Sequence, residues 1–307
     1  MHGDSPTNDP SRASADALRL ERIASRLEHA CSTTHTDVTL LTSPKQSLEL
    51  VESLFADHPS SLARERCRDE MFKPEREDDR VSDLVYGEVG FLALVNLFTK
   101  WKQRLPGGRE VMSDQSDASN PDPHEKNKSR GVFLDLGSGI GRPVFSAACL
   151  APHVFHTVVG IEVLKELHSL AFELNQLYEK EIVPKFGDQA PAAQFLCGDF
   201  LSDAVDGDDD INSAWRTADC ILINSCCFGD TLWEKVKDKA RREVKKECLV
   251  VTLRRSLLDP QSGEKVYDDS HSDADHTNNK DTHWELLETS ERQMSWGACE
   301  VFVHCKR

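Results

Sequence analysis

No stretch of this chain approaches the roughly 18 consecutive apolar residues that cross a bilayer. Met1 to Arg12 is polar and carries no apolar core of the kind a secretory leader needs. The expectation is therefore a protein of the nucleus or cytoplasm, with no membrane contact. None of the ten cysteines pairs at C-x-x-C spacing, so the usual zinc and dithiol redox signatures are missing. Positive charge is also short. A net charge of −16 excludes a simple sequence-independent nucleic-acid binder, which needs a basic surface.

What is present is enough chain for one large or two small domains, with 307 residues of which 38% are hydrophobic. Cys197, Cys220, Cys248, Cys299 and Cys305 sit in or beside apolar runs and read as small buried hydrophobes. Cys226 and Cys227 are adjacent, in a segment with other features of interest. Basic residues concentrate at Lys235, Lys237, Lys239, Arg241, Arg242, Lys245 and Lys246, interleaved with Glu234, Asp238 and Glu243. That pattern reads either as the solvated face of a helix or as a docking surface.

The first 80 residues read as a helical layer behind a disordered first dozen residues. Residues 13–31 carry an amphipathic stripe. Ser43-Pro44 looks like an N-cap with proline at the first helical position, opening a helix to Phe55, and another helix covers Leu62 to Met71. Residues 81–307 form the second unit. An apolar helix follows Tyr86-Gly87-Glu88, with Phe91, Leu94, Val95, Phe98 and Trp101 on one face. Residues 105–130 then lose nearly all apolar side chains and read as a flexible insertion.

From Gly131 onward short apolar runs alternate with helical segments. Strands are expected at 132–136, 156–161, 194–197, 219–224 and 248–253, with helices at 142–150, 164–182 and 231–246. The alternation predicts a parallel sheet covered on both faces. Residues 284–289 and 298–304 are strand-like with no helix between them. The fold class is thus α/β, a Rossmann-like sheet of the class I methyltransferase type, mostly parallel and closed by an antiparallel C-terminal hairpin. The acidic segment 259–282, which holds His271 and His276, reads as a disordered loop, and no metal site is expected.

Four motifs carry chemistry. In Phe133-Leu134-Asp135-Leu136-Gly137-Ser138-Gly139-Ile140-Gly141 an apolar strand ends in an acid and a glycine-rich turn. A dinucleotide fingerprint needs G-x-G-x-x-G, and here the third glycine comes one residue early, with Arg142 in its place. An acid before such a turn suits the ammonium of an amino-acid tail, which points to S-adenosylmethionine. Glu162, ending Gly160-Ile161-Glu162, can accept from ribose hydroxyls. Asp199, in Gly198-Asp199-Phe200, can accept from an adenine amino group while Phe200 covers the ring. Asn224, opening Asn224-Ser225-Cys226-Cys227-Phe228-Gly229, offers an uncharged acceptor and donor. That suits orienting an amine beside a transferring methyl group.

Taken together, Tyr86-Gly87-Glu88, the loop from Asp135 to Gly141, Gly160 to Glu162, Gly198 to Ser202 and Asn224-x-x-x-Phe-Gly229 resemble the motif series of the Dot (disruptor of telomeric silencing) methyltransferases. These are histone-lysine methyltransferases without a SET domain that act on the globular core of histone H3. The likeness runs from about Val85 to Gly229, with an echo at Ser295-Trp296 and the last strand. It implies that Tyr86, Gly87, Glu88 and Val89 close over the cofactor, while residues 133–142, including Gly137, Ser138, Gly139, Gly141 and Arg142, cradle its methionine tail. Glu162 would bind the ribose, Asp199 and Phe200 the adenine, and Asn224 and Phe228 would line the lysine channel, with Asn224, Phe228 and Tyr86 as the catalytic set. Val89 stands where the family carries a small hydroxyl residue, and Arg142 where it carries glutamine. In the C-terminal hairpin, Val301 or Phe302 falls near the place of a channel aromatic.

The resemblance implies a protein-lysine methyltransferase, with a histone partner and a nuclear location. A methyltransferase of another protein or a small molecule, and a catalytically inactive cofactor-binding module, are the competing readings. The basic run from Lys235 to Lys246 is the candidate contact for nucleosomal DNA.

Overall fold

The alternation that begins at Gly131 becomes an ordered sheet in the computed structural model, which describes residues 43–72, 87–106, 130–202, 209–258 and 283–307. The stripe at residues 13–31, Tyr86, most of the 105–130 insertion and the whole of 259–282 lie outside the described residues. Five strands, β1 (Gly131–Leu136), β2 (Phe155–Glu162), β3 (Ala192–Cys197), β4 (Cys220–Ile223) and β5 (Leu249–Leu253), pair in parallel. β6 (Trp284–Met294) and β7 (Gly297–Lys306) form the expected antiparallel hairpin, and β7 pairs antiparallel with β5. The order is β3-β2-β1-β4-β5-β7-β6. Strand order therefore reverses between β1 and β4, and the crevice at the carboxyl ends of those strands is where open α/β sheets bind ligands.

The strands read as they do because both faces are covered. All six residues of β1 are buried, as expected for a strand with helices on each side. Phe133 faces the first side with Phe155, Val158, Leu222, Val251 and Val303. Leu134 and Leu136 face the other with Ile161, Trp215 and Val236. The first face carries α1 (Pro44–Leu54), α2 (Ser60–Met71), α3 (Phe91–Trp101), α4 (Arg142–Leu150) and α5 (Lys165–Leu177). The second carries α6 (Asp209–Thr217) and α7 (Asp230–Glu243). The α6 helix is an addition to the sequence expectation.

Local reasons for these elements are visible. Pro44 occupies the start of α1 as expected, although the Ser43 hydroxyl makes no capping bond. Ser47, Leu48, Val51 and Leu54 form its buried stripe, and the Ser47 hydroxyl donates to the Cys149 carbonyl at 2.9 Å. Phe98 meets Phe133 and Phe155 edge-on, with centroids 6.0 and 5.5 Å apart, which docks α3 on the sheet. The helix expected over 164–182 is α5 followed by a π-helical turn at Tyr178–Ile182 and a short helix, Val183–Phe186.

Two expectations are corrected. Leu105 and Arg130, at the two ends of the 105–130 segment, are buried, and the Arg130 guanidinium donates to the Phe155 and Gln189 carbonyls. Cys197 is exposed, because β3 is an edge strand, whereas Cys220, Cys248, Cys299 and Cys305 are buried. Among the described residues, no helix is long and apolar enough to cross a membrane.

Candidate functional site

The glycine-rich turn leaves β1 at its carboxyl end and is pinned from below by β2. The Gly137 and Ser138 N–H groups both donate to the Ile161 carbonyl, at 2.9 and 3.0 Å. Gly139 N–H donates to Glu162 Oε2 at 2.8 Å. The turn ends in Gly141 at φ +86°, where a Cβ would meet the Phe195 ring at 2.5 Å. Only glycine fits there, and α4 can start directly against the sheet.

This arrangement puts two acids into one dry place. Asp135 is buried, and its Oδ2 has no hydrogen-bond partner. Burial raises its carboxyl to about 8, with the Glu162 charge adding to the effect. Burial also pushes Glu162 upward, opposed by backbone N–H bonds from Leu164 and Gly139. Ser138 Oγ is buried and likewise unpartnered. Unmet acceptors in a cavity wall are an arrangement that a ligand completes. A cation is the species that would bring Asp135 back to its ionised form.

A cavity of about 610 Å³ opens above these groups, within the roughly 300–1,000 Å³ of typical ligand clefts. Its wall contains Gly87, Glu88, Val89, Asp135, Gly137, Ser138, Gly139, Glu162, Asp199, Phe200, Asn224 and Phe228. Those expected site residues are therefore gathered in one place, the ones from Asp135 onward at the carboxyl ends of successive strands and Gly87, Glu88 and Val89 just before α3. S-adenosylmethionine fits this lining, which combines unmet acidic and hydroxyl acceptors at Asp135 and Ser138 with the aromatic rings of Phe200 and Phe228.

Two expected cofactor contacts lie behind the wall. Gly141 packs against Phe195, and the Arg142 side chain turns away from the cavity. Its guanidinium donates to Glu52 at 3.0 Å, lies 3.1 Å from Glu88 in an ion pair in which Nε makes no hydrogen bond, and stacks on Phe55, 4.1 Å from the ring centroid. Two acids and an aromatic face offer this planar cation more than an open cavity does. Phe228, expected in a lysine channel, stacks on Phe200 with centroids 6.0 Å apart. Asp199 Oδ1 accepts from the Leu201 N–H at 2.9 Å.

On the far side, the segment Gly87–Gly90 forms one wall. Asn224 Nδ2 donates to the Gly87 carbonyl at 3.2 Å, while Asn224 Oδ1 is buried without a hydrogen-bond partner. The tip of the β6–β7 hairpin closes over the same segment. Ser295 Oγ donates to the Glu88 carbonyl at 2.9 Å and accepts from the Glu88 N–H at 3.3 Å. Trp296 lies so close to Gly87 that a Cβ there would meet its ring at 2.9 Å. Trp296 is thus the hairpin aromatic in the cavity wall. Val301 is buried, and Phe302 stacks instead on His304. The available sequence signal was the Ser295-Trp296-Gly297 turn between the two strand-like runs.

Cys226, Cys227 and Cys299 also line the cavity. The Cys226 and Cys299 sulfurs are 3.2 Å apart. Burial, with the Cys299 contact, pushes the Cys226 thiol up to about 12, which keeps it protonated and poor as a nucleophile.

The basic run divides. Lys237 and Lys239 are buried. Lys239 Nζ donates to the Ser202 carbonyl at 2.7 Å and Lys237 pairs with Glu234. Lys245 donates to the Thr217 carbonyl and pairs with Asp219, and Arg241 pairs with Asp238. Lys235, Arg242 and Lys246 remain exposed. Only Lys235 lies one turn from Leu232, which lines the cavity. Arg242 sits seven residues further along α7, roughly 10 Å at 1.5 Å per residue.

The family model described as histone methylation protein DOT1 matches residues 124–304, well over half of the chain. Among solved structures, the chain is similar to a putative RNA methyltransferase from Pyrococcus horikoshii, at 12% identity and TM-score 0.39, over 80% of this chain and 96% of that one. It is also similar to an RNA methyltransferase from Salinibacter ruber in complex with S-adenosyl-L-homocysteine, at 17% identity and TM-score 0.33, over 61% of this chain and 92% of that one. No curated protein sequence matches it.

Proposed function

This chain belongs to the DOT1 histone methylation family and is an S-adenosylmethionine-dependent methyltransferase, and from that premise we propose that it methylates a lysine of a nucleosomal histone at Asn224. Asp135 and Ser138 hold the methionine tail, with Asp135 facing the ammonium. Glu162 accepts from the ribose, and Asp199 with Phe200 holds the adenine. Gly87, Glu88 and Val89 close the wall. Asn224, Phe228 and Trp296 receive the lysine.

The observation that carries this reading is the Asn224 amide. Its Nδ2 is committed to the Gly87 carbonyl, and its Oδ1 is buried and unmet. A buried carbonyl oxygen in need of a donor suits the N–H of an incoming amine. The cofactor supplies an electrophilic methyl carbon on a sulfonium. Asn224 orients the amine toward it, and the apolar wall keeps water out. Desolvation between aromatic rings favours the neutral amine, the form that carries a nucleophilic lone pair. No covalent enzyme intermediate is needed, consistent with the protonated Cys226.

Lys235, Arg242 and Lys246 are the exposed cations offered to nucleosomal phosphates, and a chromatin role implies the nucleus. The test is transfer of labelled methyl to nucleosomes, free histones and a cell extract in parallel. Labelling of nucleosomal histone supports the reading. Labelling of one soluble non-histone protein alone replaces the substrate and leaves the chemistry.

A further inference from the structure

We infer that Arg142 is a positioning residue, through which the helical layer of α1 and α2 fixes the Gly87–Gly90 wall of the cavity. This rests on the assignment of that wall to the cofactor site. Arg142 touches no part of the cavity surface. It is the first residue of α4, where a positive charge opposes the helix dipole. Its position is therefore explained by its partners rather than by the helix.

Those partners belong to different parts of the molecule. Glu88 is in the cavity wall and its side chain is only 8% exposed. Glu52 is on α1, and Phe55, beneath the guanidinium plane, follows that helix directly. The Glu88 carboxylate also accepts from the Ser60 hydroxyl of α2 at 2.5 Å. The layer is anchored independently by Glu70 of α2, whose two oxygens accept from the Lys165 and Glu166 N–H groups at 2.9 Å each. On α1, Ser47 bonds the Cys149 carbonyl and Phe55 packs on Phe145, so Glu52, Phe55 and Ser60 stand on anchored helices.

The backbone of Gly87 and Glu88 is held from the opposite side by Asn224 and Ser295. Without Arg142, the buried Glu88 carboxylate loses an ion-pair partner and its link to α1. The segment bonded to Asn224 is then held less firmly. Lysine cannot substitute, because separate guanidinium nitrogens serve the two acids while the plane lies on Phe55.

The test uses the full chain carrying Arg142→Gln, Arg142→Lys, Glu88→Gln and the double variant R142Q/E88Q. Hydrogen exchange is read across residues 87–93, and S-adenosylhomocysteine affinity is read by calorimetry. R142Q and R142K should speed exchange in that segment while β1, β2 and β4 stay protected. Both should weaken S-adenosylhomocysteine about tenfold or more and lower kcat/KM by on the order of 100-fold, the scale of an ångström-sized misplacement. The double variant should be no worse than the poorer single one. Should R142Q not fold, Glu52→Gln gives a smaller shift of the same sign. Unchanged exchange in 87–93, or a lowered melting temperature with unchanged affinity, overturns the positioning role. Exchange needs no ligand, so a failure of the parent chain to bind S-adenosylhomocysteine would count separately, against the cofactor assignment.

Discussion

Glu162 Oε2 accepts the Gly139 N–H at 2.8 Å, so the carboxylate proposed to meet a ribose also holds the glycine turn. Its other oxygen accepts from the Leu164 N–H at 2.9 Å. On the proposed reading one residue couples turn geometry to cofactor recognition, and its removal should show in both stability and binding.

Glu162→Ala should lower the melting temperature and weaken S-adenosylhomocysteine together. A hydrogen bond to a charged group contributes roughly 1.5–3 kcal/mol, so affinity should fall tenfold to a hundredfold. Glu162→Gln keeps one acceptor and should fall between. Calorimetry and a melting curve on the same samples check this. A changed melting temperature with unchanged affinity would place the ribose elsewhere.

Asp135 sets a pH dependence. Its folded carboxyl lies at about 8, above the ordinary carboxylate value. Without cofactor, the folded state therefore holds more protons than the unfolded state between about pH 4 and 8. This group's contribution to stability is present below that window and is lost as pH rises through it. An ammonium beside Asp135 reverses the preference. Binding should release a proton below pH 8, and affinity should rise with pH toward that value. Calorimetry in buffers of different ionisation enthalpy measures the release. Asp135→Asn should abolish it, and an unchanged release in that variant would remove Asp135 from the tail site.

Asp199→Ala should weaken the cofactor by tenfold to a hundredfold on the same scale, through loss of the adenine contact and of the bond to Leu201 N–H. An unchanged dissociation constant would show that the adenine does not lie there.

Lys239 should act on stability, not on docking. Lys239→Ala strands the Ser202 carbonyl and should cost about 1–3 kcal/mol in urea unfolding. Lys235→Glu, on the exposed face, should be near neutral in the same assay and should weaken nucleosome labelling with a shallower salt dependence. Equal stability losses in the two variants would contradict the division of the helix.

Most of the sheet was legible because β1, β4 and β5 are fully buried and read as apolar runs, and because an acid or asparagine stands at or just after the strand ends: Asp135, Glu162, Asp199 and Asn224 follow in that order. The cavity then follows from topology alone. What was not legible depended on packing between distant segments. The acidic opening of α6 resembles a loop, and its identity rests on Trp215, whose indole N–H reaches the Phe200 carbonyl. Lys237 and Lys239 carry the charge of a solvated face, yet α7 turns them inward. Arg142 sits at a cofactor position in sequence, but the acids that claim it come from residues 52 and 88. Trp296 enters the wall only because the hairpin folds back over Gly87.

The most direct test of the central claim is methyl transfer measured beside cofactor binding. The full chain is incubated with methyl-labelled S-adenosylmethionine and nucleosomes, and the products are mapped by peptide mass spectrometry. The same is done with Asn224→Ala. The account predicts a methyl group on a histone lysine with the parent chain. It predicts loss of that product in the variant, which still binds S-adenosylhomocysteine. Full transfer by Asn224→Ala, or no methylated lysine in any protein offered to the parent chain, would contradict it.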